Sequence, residues 1–129
     1  MRTAEQLNEL SGSIIGAAIE VHRELGPGLL ESTYADCLAW ERRQSGLSVE
    51  REKAIPLRYK TLSLEGAYRP DLLVDNAVVV EVKATEGLLP VHSAQILTYL
   101  KLTNCALGLL MNFNVDVMRN GIKRVVHGF

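Results

Sequence analysis

Two neighbouring runs near the middle of the chain place charged side chains where strands normally carry apolar ones. Residues 68–74 read Tyr-Arg-Pro-Asp-Leu-Leu-Val, and residues 78–83 read Val-Val-Val-Glu-Val-Lys. Both runs are rich in Val and Leu, so both are predicted to be strands. Glu81 and Lys83 are two residues apart and therefore project from the same strand face. A buried charge is costly unless it is paired or binds a metal, so Asp71, Glu81 and Lys83 need an explanation.

The length of the turn between the two runs decides whether the two acids meet. A three-residue loop of residues 75–77 places Asp71 opposite Glu81, with Cβ atoms about 5 Å apart. A two-residue loop would place Asp71 opposite Val80, because a shift of one residue sends every side chain to the other face. We predict the three-residue loop, or a bulge with the same effect. The other face of the hairpin is then wholly apolar and should be covered by helices. It comprises Leu72, Val74, Val78, Val80 and Val82.

Two opposed carboxylates repel each other unless a cation lies between them. Oxygen ligands of this kind suit Mg²⁺ or Mn²⁺. Such a metal could lower the pKa of a bound water and neutralise charge on a phosphate. Lys83 could then orient the water or stabilise the transition state. The alternative is an internal salt bridge of Lys83 with Glu81 or Asp71, and the hairpin by itself leaves both interpretations open.

The spacing of these residues resembles a known signature. Residues 70–71 and 81–83, Pro-Asp followed by Glu-Val-Lys, are similar to the motif of the PD-(D/E)XK nuclease superfamily. Residues 28–34, Gly-Leu-Leu-Glu-Ser-Thr-Tyr, resemble the motif that names the GxxExxY protein family, which is assigned to that superfamily. The resemblance covers about residues 10–129 and departs from no signature position. Further similar stretches are residues 20–28, Gln95 with Tyr99, and residues 121–124.

This resemblance implies an α/β fold with a restriction-endonuclease-like core, in which helices flank a mixed β-sheet. It also implies Mg²⁺- or Mn²⁺-dependent hydrolysis of phosphodiester bonds in nucleic acid, with DNA expected in preference to RNA. The implied metal ligands are Glu31, Asp71, Glu81 and the carbonyl of Val82. Lys83 would position the attacking water. Gln95 and Tyr99 match a Gln-x-x-x-Tyr pair that recurs in the superfamily, and they would steer the phosphate.

Several residues near these motifs have both an ordinary and a functional interpretation. His22 is interpreted as a packed or partly exposed helix residue, with support of the metal site as the alternative. His92 is interpreted as a surface residue, with a substrate-side role as the alternative. Tyr34 would support Glu31 or contact substrate, although an acid such as Glu31 is also favoured in a first turn by the helix dipole alone. Trp40 is expected to pack in the core or on a helix face.

Hydrophobic periodicity predicts the order α-α-β-β-β-α-β-β. The predicted helices span residues 4–25, 29–44 and 90–102, the last with Ala94, Leu97 and Leu100 pointing inward. Residues 105–111 form a continuous apolar run typical of a buried strand. Asn-Gly at residues 120–121 predicts a final hairpin between residues 115 and 126. Before the third helix, residues 47–60 are predicted to form one or two strands, with Pro56 at an edge or a break. Residues 62–65 then lead into the central strands, 68–74 and 78–83.

Composition places further bounds on the chain. Its 129 residues fit a single domain, 1–129. The net charge of −1 does not support tight non-specific binding to duplex DNA. Cys37 and Cys105 lack metal-type spacing, which predicts reduced thiols in a cytoplasmic protein. No signal peptide or membrane span is predicted.

Two functional alternatives stay open at this point. The fold could serve as a non-catalytic module that binds nucleic acid or protein, since fold does not determine function. It could also act on a small phosphorylated substrate in a closed pocket. A small nuclease domain that cuts both strands of a duplex would need a homodimer or a partner protein.

Overall fold

The computed structural model describes residues 2–128; Met1 and Phe129, the ends of the predicted domain, lie outside the described residues. The fold is α/β, with a mixed sheet flanked by helices. The helices are α1 (Ala4–Leu25), α2 (Glu31–Gln44) and α3 (Pro90–Thr103). The strands are β1 (Val49–Arg51), β2 (Ile55–Tyr59), β3 (Leu62–Tyr68), β4 (Leu72–Val74), β5 (Val78–Lys83), β6 (Leu107–Asn112) and β7 (Ile122–Val126). A 3₁₀ helix, Met118–Gly121, precedes β7.

Five strands form the main sheet in the order β1-β4-β5-β6-β7. β5 and β6 are parallel, as the intervening helix α3 predicts, and the other neighbours are antiparallel. β2 and β3 form a separate antiparallel pair. The approximate order predicted three strands before the third helix, whereas five precede it within residues 2–128. One reason is that Pro70, which cannot donate to a ladder, lies between β3 and β4 and divides the first predicted run.

The predicted hairpin register is confirmed. Val74 pairs with Val78, Leu73 with Val79 and Leu72 with Val80. The amide of Ala77 donates to the carbonyl of Val74 at 2.9 Å, which closes a three-residue loop. Continuing this register by one residue brings Asp71 opposite Glu81.

Alternation along β4 and β5 divides the core into two layers. The apolar face of the hairpin packs beneath α1 and α2 together with Leu107, Leu109 and Met111 of β6. The opposite face carries Leu73 and Val79 and packs beneath α3. Glu81 and Lys83 have the same parity as Val79, so they belong to the α3 side of the sheet. The sheet is therefore covered on both faces, as the predicted apolar strands require.

The boundaries of α1 agree with the prediction. Thr3 caps its N-terminus in a capping box with Gln6. Gly26, at φ +67°, ends it where an L side chain would be strained. α2 begins two residues later than predicted, after a loop in which Gly28 also has positive φ.

The inward face predicted for α3 was partly wrong. Ala94 is exposed and Leu97 is only half-buried, whereas Ile96, Tyr99 and Leu100 are buried. Gly108 of β6 explains the close approach of this helix, since a Cβ atom there would lie 2.9 Å from Ile96 Cδ1. Packing against the sheet therefore selected a face that periodicity alone did not identify.

The predicted final hairpin was also wrong. Residues 118–121 form the 3₁₀ helix, and β7 pairs with β6 instead of with residues 115–118. Gly121 is buried, and a Cβ atom there would lie 2.1 Å from the carbonyl oxygen of Asn112. The glycine therefore serves a close backbone approach, and the Asn-Gly pair is not the turn of a hairpin.

Trp40 does not pack in the core, because 58% of it is exposed. It lies beside a surface groove of about 190 Å³ between α1 and α2, together with Leu25 and Cys37. No helix within residues 2–128 combines the length and apolar character needed to cross a membrane.

Candidate active site

The side chains of Asp71 and Glu81 each accept a hydrogen bond from a backbone amide across the end of the hairpin. The amide of Asp71 donates to Glu81 Oε1 at 2.9 Å, and the amide of Val82 donates to Asp71 Oδ2 at 2.7 Å. These bonds continue the β4–β5 ladder beyond Leu72 by means of side-chain oxygens. Glu81 is only 4% exposed, whereas Asp71 is half-buried. The two carboxyl groups are thus held together at the end of β5.

The local environment opposes ionisation of both acids. Burial, together with the charge of Asp71, raises the pKa of Glu81 to about 8. Burial also raises the pKa of Asp71, against the lowering effects of the Val82 amide, Lys83 and Arg51. The nearby charge of Glu31 raises the pKa of Asp71 further. The protein's own cations therefore do not compensate the negative charge that these carboxyl groups would carry.

Lys83, Gln95 and Tyr99 surround this pair from β5 and α3. The Lys83 ammonium donates to Gln95 Oε1 at 3.4 Å. The alternative of a direct salt bridge from Lys83 to Asp71 or Glu81 does not occur among the described residues. Burial raises the pKa of the Tyr99 hydroxyl, and the charge of Glu81 raises it further. Lys83 is therefore near both acids but leaves them unpaired.

Glu31 reaches the same end of the sheet from the first turn of α2. Its Oε1 accepts a hydrogen bond of 3.2 Å from the amide of Ala84, the residue that follows β5. Within residues 2–128, however, no three Asp, Glu, His or Cys side chains are grouped closely enough to hold a metal ion. The structure thus brings Asp71 and Glu81 together and leaves Glu31 as a neighbour whose charge acts on Asp71.

His22 and His92, for which the sequence allowed a functional role, each form a hydrogen bond with the backbone. His22 is buried, and its Nε2 lies 2.7 Å from the carbonyl oxygen of Val115. His92 is half-buried, and its Nδ1 accepts a hydrogen bond from the amide of Leu89 at the start of α3. Both bonds are structural, since each holds a loop or a helix end in place.

Tyr34 is fully buried and stacks on Phe113, with ring centroids 4.5 Å apart. Its hydroxyl donates to the carbonyl of Gly26 at 2.5 Å and accepts from the amide of Leu29 at 3.1 Å. It fixes the loop that leads into Glu31 and is too buried to contact a substrate.

Two further residues shape the site and were missed from the sequence. Arg51 Nη1 donates to the carbonyl of Asp71 at 2.6 Å, and its charge lowers the pKa of that acid. Asn112 is buried at the end of β6, where its Oδ1 accepts from the amide of Thr85 and its Nδ2 donates to the carbonyl of Thr85. Asn112 therefore anchors the turn after Lys83. Asn112 could have been found from the sequence, because it is a polar residue at the end of an otherwise apolar run. The alternation of residue types around Arg51 is irregular and gave no signal for a site residue.

The donor chemistry of the Asp71–Glu81 pair suits a divalent cation, although the acids of residues 2–128 are not grouped as a ready-made metal site. Carboxyl oxygens are the ligands that Mg²⁺ and Mn²⁺ prefer, and two such groups adjoin here with raised pKa values. The amide of Val82 points toward Asp71. A residue's amide and carbonyl point to the same side of a strand, so the Val82 carbonyl is directed to that side as well.

Comparison with known proteins agrees with this geometry. No curated protein and no solved structure matches the chain. A family model described as the PD-(D/E)XK nuclease superfamily matches residues 8–125. The matched range includes both strands of the acid pair, α2 with Glu31, and α3. The chain therefore belongs to the PD-(D/E)XK nuclease superfamily.

Proposed function

We propose that this chain is a metal-dependent nuclease that hydrolyses phosphodiester bonds of nucleic acid, with DNA as the expected substrate in preference to RNA. The observation that carries the proposal is the Asp71–Glu81 pair, whose carboxyl groups meet with raised pKa values and form no ion pair with any residue of the described part of the chain. Membership of the superfamily supports a nuclease-type function. We also propose that the chain belongs to the narrower GxxExxY family, which residues 28–34 resemble.

The proposed metal ligands are the carboxylates of Asp71, Glu81 and Glu31 and the carbonyl of Val82. Bound Mg²⁺ or Mn²⁺ would supply the positive charge that stabilises a phosphate and acidifies a water. Glu31 is tied to the Ala84 amide at 3.2 Å, a hydrogen bond that an ordinary rotamer change would release. Its charge already acts on Asp71, which supports its role as the third acid.

The remaining side chains would act on the reacting groups. Lys83, which lies beside the acids without pairing to them, would orient the attacking water. Water adds to phosphorus, one ester P–O bond breaks, and the departing oxygen takes a proton. Gln95, bonded to Lys83, would hold the ammonium and a phosphate oxygen in place. The hydroxyl of Tyr99, which interacts with the charge of Glu81, would contribute to that positioning.

We assign His22, Tyr34 and His92 supporting positions only. Tyr34 fixes the loop before Glu31, and His92 orders the start of α3 before Gln95. We further propose that residues 1–129 form one domain. Action on both strands of a duplex would require a homodimer or a partner protein. The two free cysteines, Cys37 and Cys105, support a reducing, cytoplasmic location.

The test is cleavage of single-stranded, duplex and branched DNA and RNA by the full chain with Mg²⁺ or Mn²⁺. Lys83→Ala should lose about 10²-fold or more of the rate while retaining the wild-type melting temperature. Lys101→Ala, on the exposed last turn of α3, is the matched control and should cleave normally. If the wild type cleaves nothing, or if Lys83→Ala cleaves equally well, the proposed function is wrong.

A non-catalytic module is the second candidate. It is favoured by one observation, that the acids of residues 2–128 are not grouped as a ready metal cluster. In that case the wild type would bind nucleic acid or a protein without cleaving it, whichever metal is added.

A further inference from the structure

The antiparallel pair β2–β3 forms a two-stranded sheet that is separate from the main sheet. We call residues 55–68 the hairpin arm. Its base is anchored, because Ile55 is buried and Tyr68 packs against the cluster beneath α3. Every residue of β3 before Tyr68 is exposed. Such a ribbon adds little to the core, so its side chains are available to bind another molecule.

The arm and its flanks concentrate positive charge. Residues 53–69 contain four basic side chains and one acidic side chain, in a chain whose net charge is −1. Neither Arg58 nor Lys60 forms an ion pair among the described residues. Among residues 2–128, Arg69 donates only to the backbone carbonyls of Gly66 and Glu52, which leave its charge uncompensated. The arm is therefore suited to a polyanion.

The arm also exposes an aromatic ring among these charges. Tyr59 is 61% exposed, and the Lys60 ammonium lies 5.4 Å from its ring centroid. Tyr59 pairs with Leu62, which is 54% exposed, on the same face of the ribbon. Sites that bind single strands or unpaired bases combine basic side chains with exposed aromatic rings in this way.

The arm leads directly into the candidate active site. Its last residue, Tyr68, is three positions before Asp71. The Tyr99 hydroxyl lies near enough to Glu81 to interact with its charge, and it also interacts with the backbone of Arg69 and with Tyr68. A strand of nucleic acid lying along the arm would therefore pass beside the Asp71–Glu81 pair.

We propose that the hairpin arm is a substrate-binding element, with Arg58 and Lys60 contacting the phosphates of nucleic acid and Tyr59 contacting a base or sugar. This inference rests on the proposed function, because it assigns the same substrate to a second surface. The shared chemistry is the sugar–phosphate backbone, which single strands and duplexes both supply.

The test is the binding of short fluorescent DNA and RNA oligonucleotides, single-stranded and duplex, to the full chain in Ca²⁺ over a series of salt concentrations. Arg58→Ala with Lys60→Ala should weaken binding about tenfold or more. The slope of log affinity against log salt should decrease by about one for each phosphate that the variant no longer neutralises. Tyr59→Ala should weaken binding of single strands more than of duplexes. Lys101→Ala, which removes one exposed positive charge from α3, is the control and should leave affinity and slope unchanged.

The outcomes separate this inference from the function on which it rests. If the wild type binds and cleaves nucleic acid but the Arg58/Lys60 variant keeps its affinity and salt slope, the arm is not the binding element and the nuclease function stands. If the wild type binds no oligonucleotide, both proposals are wrong. The arm could instead join two copies of the chain. In that case the Leu62→Ser variant would have a lower mass than the wild type in light scattering and an unchanged affinity for nucleic acid. That result would overturn the proposal.

Discussion

Asp71 and Glu81 hold each other in place across the end of the central hairpin. The Asp71 amide bonds to the Glu81 carboxylate at 2.9 Å, and the amide that follows Glu81 bonds to the Asp71 carboxylate at 2.7 Å. Backbone donors therefore fix the direction of both carboxyl groups. The arrangement keeps the buried Glu81 adjacent to the half-buried Asp71, although repulsion between two carboxylates would otherwise separate them.

Divalent cations should stabilise the fold through this pair. A ligand that binds only the folded state adds about 2.7 kcal/mol when its concentration is about a hundred times Kd. We expect Mg²⁺ or Mn²⁺ to raise the melting temperature of the wild type, as measured by thermal denaturation in a metal titration. Asp71→Asn and Glu81→Gln should each remove most of this increase, because each removes a charged ligand.

Glu9→Gln, which removes an exposed acid of α1, is the control and should respond to metal like the wild type. If metal stabilised the Glu81→Gln variant as much as the wild type, the metal would bind away from the Asp71–Glu81 pair.

Stability without metal should decrease as pH rises. The pKa of Glu81 is about 8 in the folded state against 4.5 for the free side chain, so the folded state binds more protons between these values. Stability is then fully present below about pH 4.5 and is lost as pH rises through about 8. The raised pKa of Asp71 acts in the same direction.

Chemical denaturation in a chelator across this pH range measures the effect. Glu81→Gln should show a shallower decrease, while Glu9→Gln should follow the wild type. A wild-type profile that rises across the range would contradict the environment described for Glu81.

Tyr34→Phe should destabilise the protein by about 1–2 kcal/mol. The change keeps the ring that stacks on Phe113 but removes the hydroxyl bonded to Gly26 and Leu29. Urea denaturation measures the decrease, and Tyr59→Phe, at an exposed position, should be neutral. An unchanged midpoint for Tyr34→Phe would show that the loop before Glu31 does not depend on this hydroxyl.

Two glycine substitutions should have opposite effects. Gly108→Ala places a Cβ atom 2.9 Å from Ile96 Cδ1 and should cost about 1–3 kcal/mol. Gly12→Ala lies on the exposed side of α1 with no atom within 4 Å of the new Cβ, so it should stabilise by about 0.5–1 kcal/mol. The melting temperatures of the two variants test this difference, and a neutral Gly108→Ala would mean that α3 can shift away from the sheet.

Local patterns in the chain were enough to predict much of the fold. The bounds of α1, the Pro90 start of α3 and the apolar faces of β4 and β5 follow from periodicity, capping and proline placement. The three-residue loop followed from requiring two acids to share one face. Each of these depends on residues close together in sequence, where propensity and spacing act directly.

Other features depended on interactions between distant segments. The inward face of α3 was decided by Gly108, and the structure at Asn120–Gly121 was decided by the backbone of Asn112. Arg51 and Asn112 became part of the site only because the sheet brings them to Asp71 and Thr85. The sequence by itself thus determined which charged residues are candidates for the site. Which of them meet, and which stay apart as Glu31 does, was decided by tertiary packing, because burial and hydrogen bonding depend on every neighbouring segment at once.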